Sequence, residues 1–191
     1  MMARQRQIII YGPMKNIEIK VRVSDRAKML QYIMQLGAES KGVLRQTDTY
    51  FNVPSGRLKM REERSRDFAD IIFYNRPNKK TSRLSEYDII EIQKSGIKGI
   101  KKLLSNALSS SVIVKKVRRL YMYQHTRVHL DHVNGLGDFL ELETVVKGSQ
   151  KMIDALKEHR RVVRALGLES CEKIPFSYSD LLLRKHKVTK G

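Results

Sequence analysis

Five short runs in this chain alternate charged and apolar residues: NIEIKVRV (16–23), GRLKMREE (56–63), VKKVRR (114–119), TRVHLD (126–131) and FLELE (139–143). In a strand, side chains two residues apart share a face. Glu18, Lys20 and Arg22 therefore point one way, and Ile17, Ile19, Val21 and Val23 the other. Lys59 and Arg61 oppose Leu58 and Met60, and Glu141 and Glu143 oppose Leu140 and Leu142. Several strands thus place bases, or bases with carboxylates, on one face. A site for a polyanion and its divalent metal requires that arrangement.

An antiparallel sheet with one solvated face also produces alternation. Two details weigh against that reading. The polar face is made of Arg, Lys and Glu, with few of the Thr, Ser and Gln residues usual on an open sheet. The charges are also segregated, with Glu141 and Glu143 together and the paired bases 59/61 and 116/118 elsewhere, whereas solubilising charge is mixed along each strand.

A chain of 191 residues fits one domain with a core that needs no staples. Its single cysteine, Cys171, excludes an intrachain disulfide and fits a reducing compartment as a buried, inert thiol. The sequence has no 18-residue apolar span, and the three-isoleucine run at 8–10 is too short for a signal-peptide core, so no membrane is expected and the cytoplasm is the default. The net charge of +18 calls for anionic partners: nucleic acid, phosphorylated small molecules or an anionic surface. The bases are spread along the chain and there is no aromatic-interleaved RNA motif, so nucleic acid is not favoured. The one dense basic stretch, RKHKVTKG (184–191), reads as a solvated end.

The coarse pattern gives strands at 16–23, 43–53, 57–63, 68–77, 83–93, 109–124, 126–133 and 138–146, mostly in consecutive hairpins. Helices are predicted at 23–38, with Ser24 or Asp25 as cap and Ala27, Leu30, Ile33 and Met34 as its apolar stripe, at 95–108, from Ser149 to about Leu166, and around 179–185. Were this sheet to close, the amphipathic helices would cover its apolar outer face and the charges would line the lumen, an inversion of the usual barrel. Charges so enclosed need water, metal and an anionic ligand to balance them. A polyphosphate matches the Arg and Lys residues. The carboxylates suit Mg²⁺ or Mn²⁺, hard cations that prefer oxygen donors.

These residues resemble the CYTH group of triphosphate tunnel enzymes, which includes class IV adenylyl cyclases and thiamine triphosphatases. Asn16-Ile-Glu18-Ile-Lys20 is similar to the family's opening Glu-x-Glu-x-Lys, and Leu58-Lys59-Met60-Arg61 to its Leu-Arg/Lys-x-Arg. QTDTYF (46–51), Arg76, Lys116-x-Arg118, and Arg127-x-His129-x-Asp131 followed by Gly135-x-Gly137-x-Phe139-x-Glu141-x-Glu143 match further segments in order, as does YSDLL (178–182). The resemblance covers residues 16 to about 183. Asn16 departs from it, since an amide stands where the family has a carboxylate.

The resemblance implies an α+β fold with a closed eight-stranded antiparallel barrel and flanking helices, and metal-dependent chemistry on a triphosphate. It implies Lys20, Lys59, Arg61, Arg76, Lys116, Arg118 and Arg127 as phosphate-binding residues, Glu18, Glu141 and Glu143 as ligands of Mg²⁺ or Mn²⁺, and Lys20, Arg61 and Glu143 as the catalytic centre. Hydrolysis of inorganic triphosphate, thiamine triphosphate or another organic triphosphate is the expected reaction. Cyclisation of ATP uses the same tunnel but needs a pocket for the base, which the sequence does not show. A non-catalytic polyphosphate or RNA binder would instead show its outer bases as one contiguous stripe. Arg22 and Arg57 share the inward parity but fit the pattern less well. His129 is expected to fill the lumen or pair with an acid, His125 and His132 to lie on the surface, and Tyr50, Tyr74 and Tyr87 to pack the barrel.

Overall fold

The computed structural model describes residues 9–146 and 151–188. Eight antiparallel strands close into a barrel in the order β1-β5-β4-β3-β2-β6-β7-β8. They are β1 (Ile10–Arg22), β2 (Glu39–Phe51), β3 (Arg57–Glu63), β4 (Phe68–Asn75), β5 (Arg83–Gln93), β6 (Ser110–Tyr123), β7 (Thr126–Val133) and β8 (Gly137–Val146). Helices α1 (Arg26–Gln35), α2 (Lys94–Leu108), α3 (Met152–Ala165) and α4 (Tyr178–Val188) flank it. No helix among the described residues is long and apolar enough to cross a membrane.

The barrel is inverted as the alternation requires. On its outer face Ile19, Val21, Val128, Leu130, Leu140 and Leu142 pack against Met29 and Ile33 of α1 and Val162 of α3. Around the wall, Phe51, Met60, Ala69 and Ile92 meet Ile97, Ile100 and Leu104 of α2. Fully burying such an aliphatic side chain contributes about 1.5–3 kcal/mol, so these two seams hold the strands' apolar faces outward and fix which face is left for the lumen. Ile33 is wholly buried, and truncating it to Ala would cost about 2–5 kcal/mol.

The local signals mostly hold. The Asp25 carboxylate accepts from the Lys28 N–H at 2.9 Å and caps α1, and Gly37 ends it with φ +75°. The PSG turn needs its glycine, because Gly56 has φ +66° and a Cβ there would meet the Phe73 ring at 2.7 Å. The stripe of α1 is corrected. Ile33 is buried and Leu30 packs beside it, but Met29 completes the inward face, while Met34 is 69% exposed and Ala27 is exposed, because residues 29 and 33, one turn apart, are the ones that face the barrel wall. β1 starts six residues before the predicted 16 and β2 four before the predicted 43; pairing with β5 and β6 extends both past their alternating parts. Of the predicted third helix, residues 149–150 lie outside the described residues. The basic stretch 184–188 is exposed, in keeping with a solvated end, but it is helical: α4 carries it to Val188, with the Arg184 guanidinium 3.5 Å from the Phe176 ring centroid, and residues 189–191 lie outside the described residues.

α4 and the segment before it cover one end of the barrel. Ile174 N–H donates to the Lys20 carbonyl at 2.8 Å, Arg57 on β3 reaches Asp180 at 2.8 Å, and Lys185 Nζ donates to the Gly135 carbonyl in the β7–β8 turn at 2.8 Å. That cap places Tyr178 in the lumen.

Candidate active site inside the barrel

Strand register decides which charges meet. Along one row across β5, β1, β8 and β7 the partners are Arg83, Glu18, Glu143 and Arg127; along the next, Lys20, Glu141 and His129. Directly opposed side chains have Cβ atoms about 4.5–5.5 Å apart, so these rows zip cations and carboxylates together. Lys20 Nζ lies 3.4 Å from Glu141 and Arg127 Nη1 3.4 Å from Glu143. Asp48 and Arg61 oppose each other on β2 and β3, and Arg118 opposes Asp131 on β6 and β7.

The rows enclose one cavity of about 120 Å³. Lys20, Lys59, Arg61, Lys116, Arg118 and Arg127 line it together with Glu18, Glu141 and Glu143. Arg76 stands just behind this lining, ion-paired with Glu18. Arg22 does not enter the lumen. It lies at the end of β1, where it meets Glu172 at 3.1 Å at the surface. Arg57 serves the cap through Asp180. His132 is exposed and paired with Asp138, but His125 is only half-exposed and bonds the buried Glu158 at 3.2 Å. Tyr50, Tyr74 and Tyr87 are buried and line the cavity; Lys59 Nζ sits 5.5 and 5.4 Å from the rings of the first two.

Four residues of the site escaped the sequence reading as individual candidates: Asp48, Arg83, Asp131 and Tyr178. Asp48 accepts from Arg61 Nε at 2.8 Å and Nη2 at 2.9 Å, from Lys116 at 2.7 Å and from Lys59 at 3.2 Å. Asp131 receives Arg118 through Nε and Nη2, both at 2.7 Å, and the Tyr178 hydroxyl at 2.9 Å. Arg83 donates to Glu18 at 3.0 Å. Lys20 Nζ lies 4.0 Å over the Tyr178 ring. Two-residue parity with Arg127 and His129 is the signal that could have found Asp131, and Asp48 had no such neighbour. Their partners depended on register, which alternation does not give.

Burial and pairing compete at each group. Burial alone would raise the Asp48 pKa, but Arg61, Lys116 and Lys59 hold it well below the usual carboxylate range. Glu141 is likewise held well down by Lys20 and Arg118 against burial. Burial drives Lys20 down to about 8 despite Glu141, and Lys116 down to about 7 despite Asp48. His129 is pushed well below its ordinary value by burial and by Arg118, so it is neutral at pH 7.

The donors suit a hard divalent cation. His129, Glu141 and Glu143 offer ligand atoms within 4.8 Å of one another. Glu18 faces Glu143 across the strand pair, although Arg76 and Arg83 already share its Oε1. Buried His129 Nδ1 and Asn16 Oδ1 have no hydrogen-bond partner, as expected of groups awaiting a ligand in a polar cavity. Carboxylate oxygens fit Mg²⁺ or Mn²⁺.

Residues 14–178 match the CYTH domain model. A Methanocaldococcus jannaschii protein that carries a provisional adenylate cyclase name is 26% identical over 172 residues, which span 88% of this chain and 98% of its own. A solved Pyrococcus horikoshii protein is 28% identical, with TM-score 0.72 over 87% of this chain and 98% of that one. A Hippeastrum protein, provisionally named an adenylyl cyclase and described as having a dominant triphosphatase activity, shares the fold at 14% identity and TM-score 0.61, over 90% of this chain and 96% of that one. The family match spans most of the barrel and every lumen residue named above, and the chain belongs to the CYTH domain family.

Proposed function

We propose that the barrel binds a triphosphate and hydrolyses it to diphosphate and phosphate with a divalent cation. One observation carries this reading: the cavity's arginines are held from behind, with a donor left over. Arg61 spends Nε and Nη2 on Asp48, and Arg118 spends the same two nitrogens on Asp131 and Glu141. In both, Nη1 has no hydrogen bond among the described residues. A guanidinium fixed this way needs no reorganisation to meet phosphate oxygens, so its donors stabilise charge as it develops.

Six cationic and four acidic side chains line the cavity. With a divalent ion bound the lining carries about four positive charges, close to what a triphosphate offsets with its roughly four to five negative ones. Lys59, Arg61 and Lys116 around Asp48, with Lys20, Arg118 and Arg127, hold the phosphate chain; Arg76 orients Glu18. Glu141 and Glu143, with Glu18 and His129 beside them, would hold Mg²⁺ or Mn²⁺, whose contribution when bound is to polarise the phosphoryl oxygens and orient the attacking water. Water attacks the terminal phosphorus in line, its bond to the bridging oxygen breaks, and Lys20 and Arg61 meet the charge on the two ends.

The cavity of about 120 Å³ is smaller than the roughly 300–1,000 Å³ of sites that enclose a whole organic ligand. That favours the phosphate chain itself as the recognised part, as in inorganic triphosphate or a triphosphate end. The adenylate cyclase name of the Methanocaldococcus relative favours a second reading, in which a ribose 3′-OH attacks the α-phosphate and releases pyrophosphate. Product analysis with inorganic triphosphate and ATP, in Mg²⁺ and in Mn²⁺, separates them. Phosphate from inorganic triphosphate is expected. Cyclic AMP and pyrophosphate from ATP, with inorganic triphosphate untouched, would establish the cyclase instead.

A further inference from the structure

A second cavity, of about 910 Å³, lies over β6, β2 and β3 with the first half of α2 as its wall; it adjoins the tunnel at Lys116, which lines both, and its other cations lie outside the tunnel lining. Its charge is one-sided. Arg45, Arg64, Lys98 and Lys115 line it, are exposed, and make no side-chain ion pair or hydrogen bond among the described residues. Some other surface lysines are matched, Lys15 with Glu86 at 2.8 Å and Lys41 with Glu39 at 2.5 Å, and the groove is set apart by having four unmatched cations on one lining. The groove's own acids are already engaged, Glu62 by Lys101 and Glu63 by Gln46, Ser65 and Arg66.

The fold forces these cations together. Arg64 N–H donates to the Arg45 carbonyl at 3.1 Å. Across β2 and β6, Arg45 opposes Val117 and Thr47 opposes Lys115, so Arg45 and Lys115 are diagonal neighbours on the outer face, about 7–8 Å apart. α2 brings Lys98 to the same groove because its Ile97 and Ile100 are seated on the barrel wall. Four unmatched cations on different elements repel one another, and a linear polyanion relieves all of them at once.

The lining also selects among polyanions. Its two aromatic rings are both engaged: Phe68 is stacked by Arg66 at 4.9 Å, and His132 Nδ1 is paired with Asp138 at 3.0 Å. Single-stranded nucleic acid sites combine a basic track with several open aromatic rings on which bases stack; here the track dominates and its two rings already have partners. We propose that its outer cations Arg45, Arg64, Lys98 and Lys115, none of which lines the tunnel, hold an inorganic polyphosphate chain.

The test is binding of a fluorescent medium-chain polyphosphate, in chelator, with excess inorganic triphosphate present to compete for the tunnel. The wild type should bind with steep salt dependence. The triple variant Arg45→Glu, Lys98→Glu, Lys115→Glu should bind at least about tenfold more weakly, with a log–log salt slope shallower by about two. Arg61→Ala should bind like the wild type, and the triple variant should turn over inorganic triphosphate normally, since none of its three positions lines the tunnel. Undiminished polyphosphate binding by a triple variant with native circular dichroism would overturn the proposal. So would equal loss in Arg61→Ala, or tighter binding of an oligouridylate of matched charge. Because the readout is binding, a failure of the tunnel to hydrolyse triphosphate leaves this test intact.

Discussion

Glu18 on β1 and Glu143 on β8 are register partners, and the row they share ends in an arginine on each side, Arg83 on β5 and Arg127 on β7. Two carboxylates brought face to face repel unless cations share them. The flanking arginines hold the pair together in the absence of metal, and Arg127 holds Glu143 from one side only, at 3.4 Å. Glu143→Gln keeps the shape, removes one ligand charge and frees Arg127. Turnover of inorganic triphosphate is expected to fall by about a hundredfold or more, while the melting temperature moves by only a few degrees. Mn²⁺ binding followed by electron paramagnetic resonance should weaken in parallel. Wild-type activity in this variant, or full activity of the wild type in chelator, would end the metal assignment.

Asp48 makes a different kind of prediction, because it stabilises three cations at once. Asp48→Asn leaves Lys59, Arg61 and Lys116 with no counter-charge in a buried site. Removing one partner of a buried ion pair costs on the order of 3 kcal/mol or more. The cost should depend on pH. Above about pH 7 Lys116 is mostly neutral in the native protein, so one of the three repelling charges is gone. Thermal melts should show a larger loss for Asp48→Asn at pH 6 than at pH 9, and added inorganic triphosphate should restore stability to the variant at pH 6. An equal loss at both pH values would show that shape, rather than charge, is what Asp48 contributes.

Alternation made half of this site legible. Lys59 and Arg61, Lys116 and Arg118, and Glu141 and Glu143 each lie two apart between aliphatics, so parity alone assigned them to one face, and the helices' apolar stripes required the other face to be covered. Parity does not say how far a strand runs past the barrel. Arg22 has the parity of Lys20 but sits at the strand end, where Glu172 takes it. Nor does parity give register: Asp48 in QTDTYF is one polar residue among several until β3 places Arg61 opposite it. Tyr178 was out of reach for another reason. It enters the lumen because residues 173–177 pair back along β1, through Val21 and Lys173 and through the Lys20 carbonyl, a contact more than 150 positions away in sequence.

Lys116 is expected to make triphosphate binding pH-dependent. Burial lowers its pKa from 10.5 to about 7. Between those values the unfolded chain holds a proton that the folded chain has released, so this group's contribution to stability rises with pH from about 7 to 10.5 and is least favourable below 7. A phosphate beside it favours the charged form, so binding takes up a proton above pH 7. Affinity for inorganic triphosphate should therefore fall as pH rises past 7, by up to about tenfold per pH unit from this residue. Calorimetry at pH 8 in two buffers of different ionisation enthalpy reads the proton directly. Lys116→Arg stays charged throughout, and its proton uptake should be smaller by close to one; identical uptake in the two proteins would exclude Lys116 as the source.

Asn16 offers the sharpest test of how the tunnel is tuned. It shares a strand face with Glu18, lines the cavity, and its buried Oδ1 accepts no hydrogen bond. An unmatched acceptor contributes no stability, because its desolvation is not offset. Asn16→Ala should therefore change the melting temperature little, or raise it. Asn16→Glu adds a carboxylate next to Glu18 and Glu143, and divalent affinity rises with the number of charged oxygen ligands. Mn²⁺ affinity measured without substrate should increase about tenfold, and stability without metal should drop through repulsion from Glu18. The two shifts are opposite in sign and come from one substitution, which separates a ligand position from a packing position. If Asn16→Glu lowers stability with no gain in Mn²⁺ affinity, position 16 lies outside the metal's reach and the orphaned Oδ1 is only an uncompensated defect of the barrel wall.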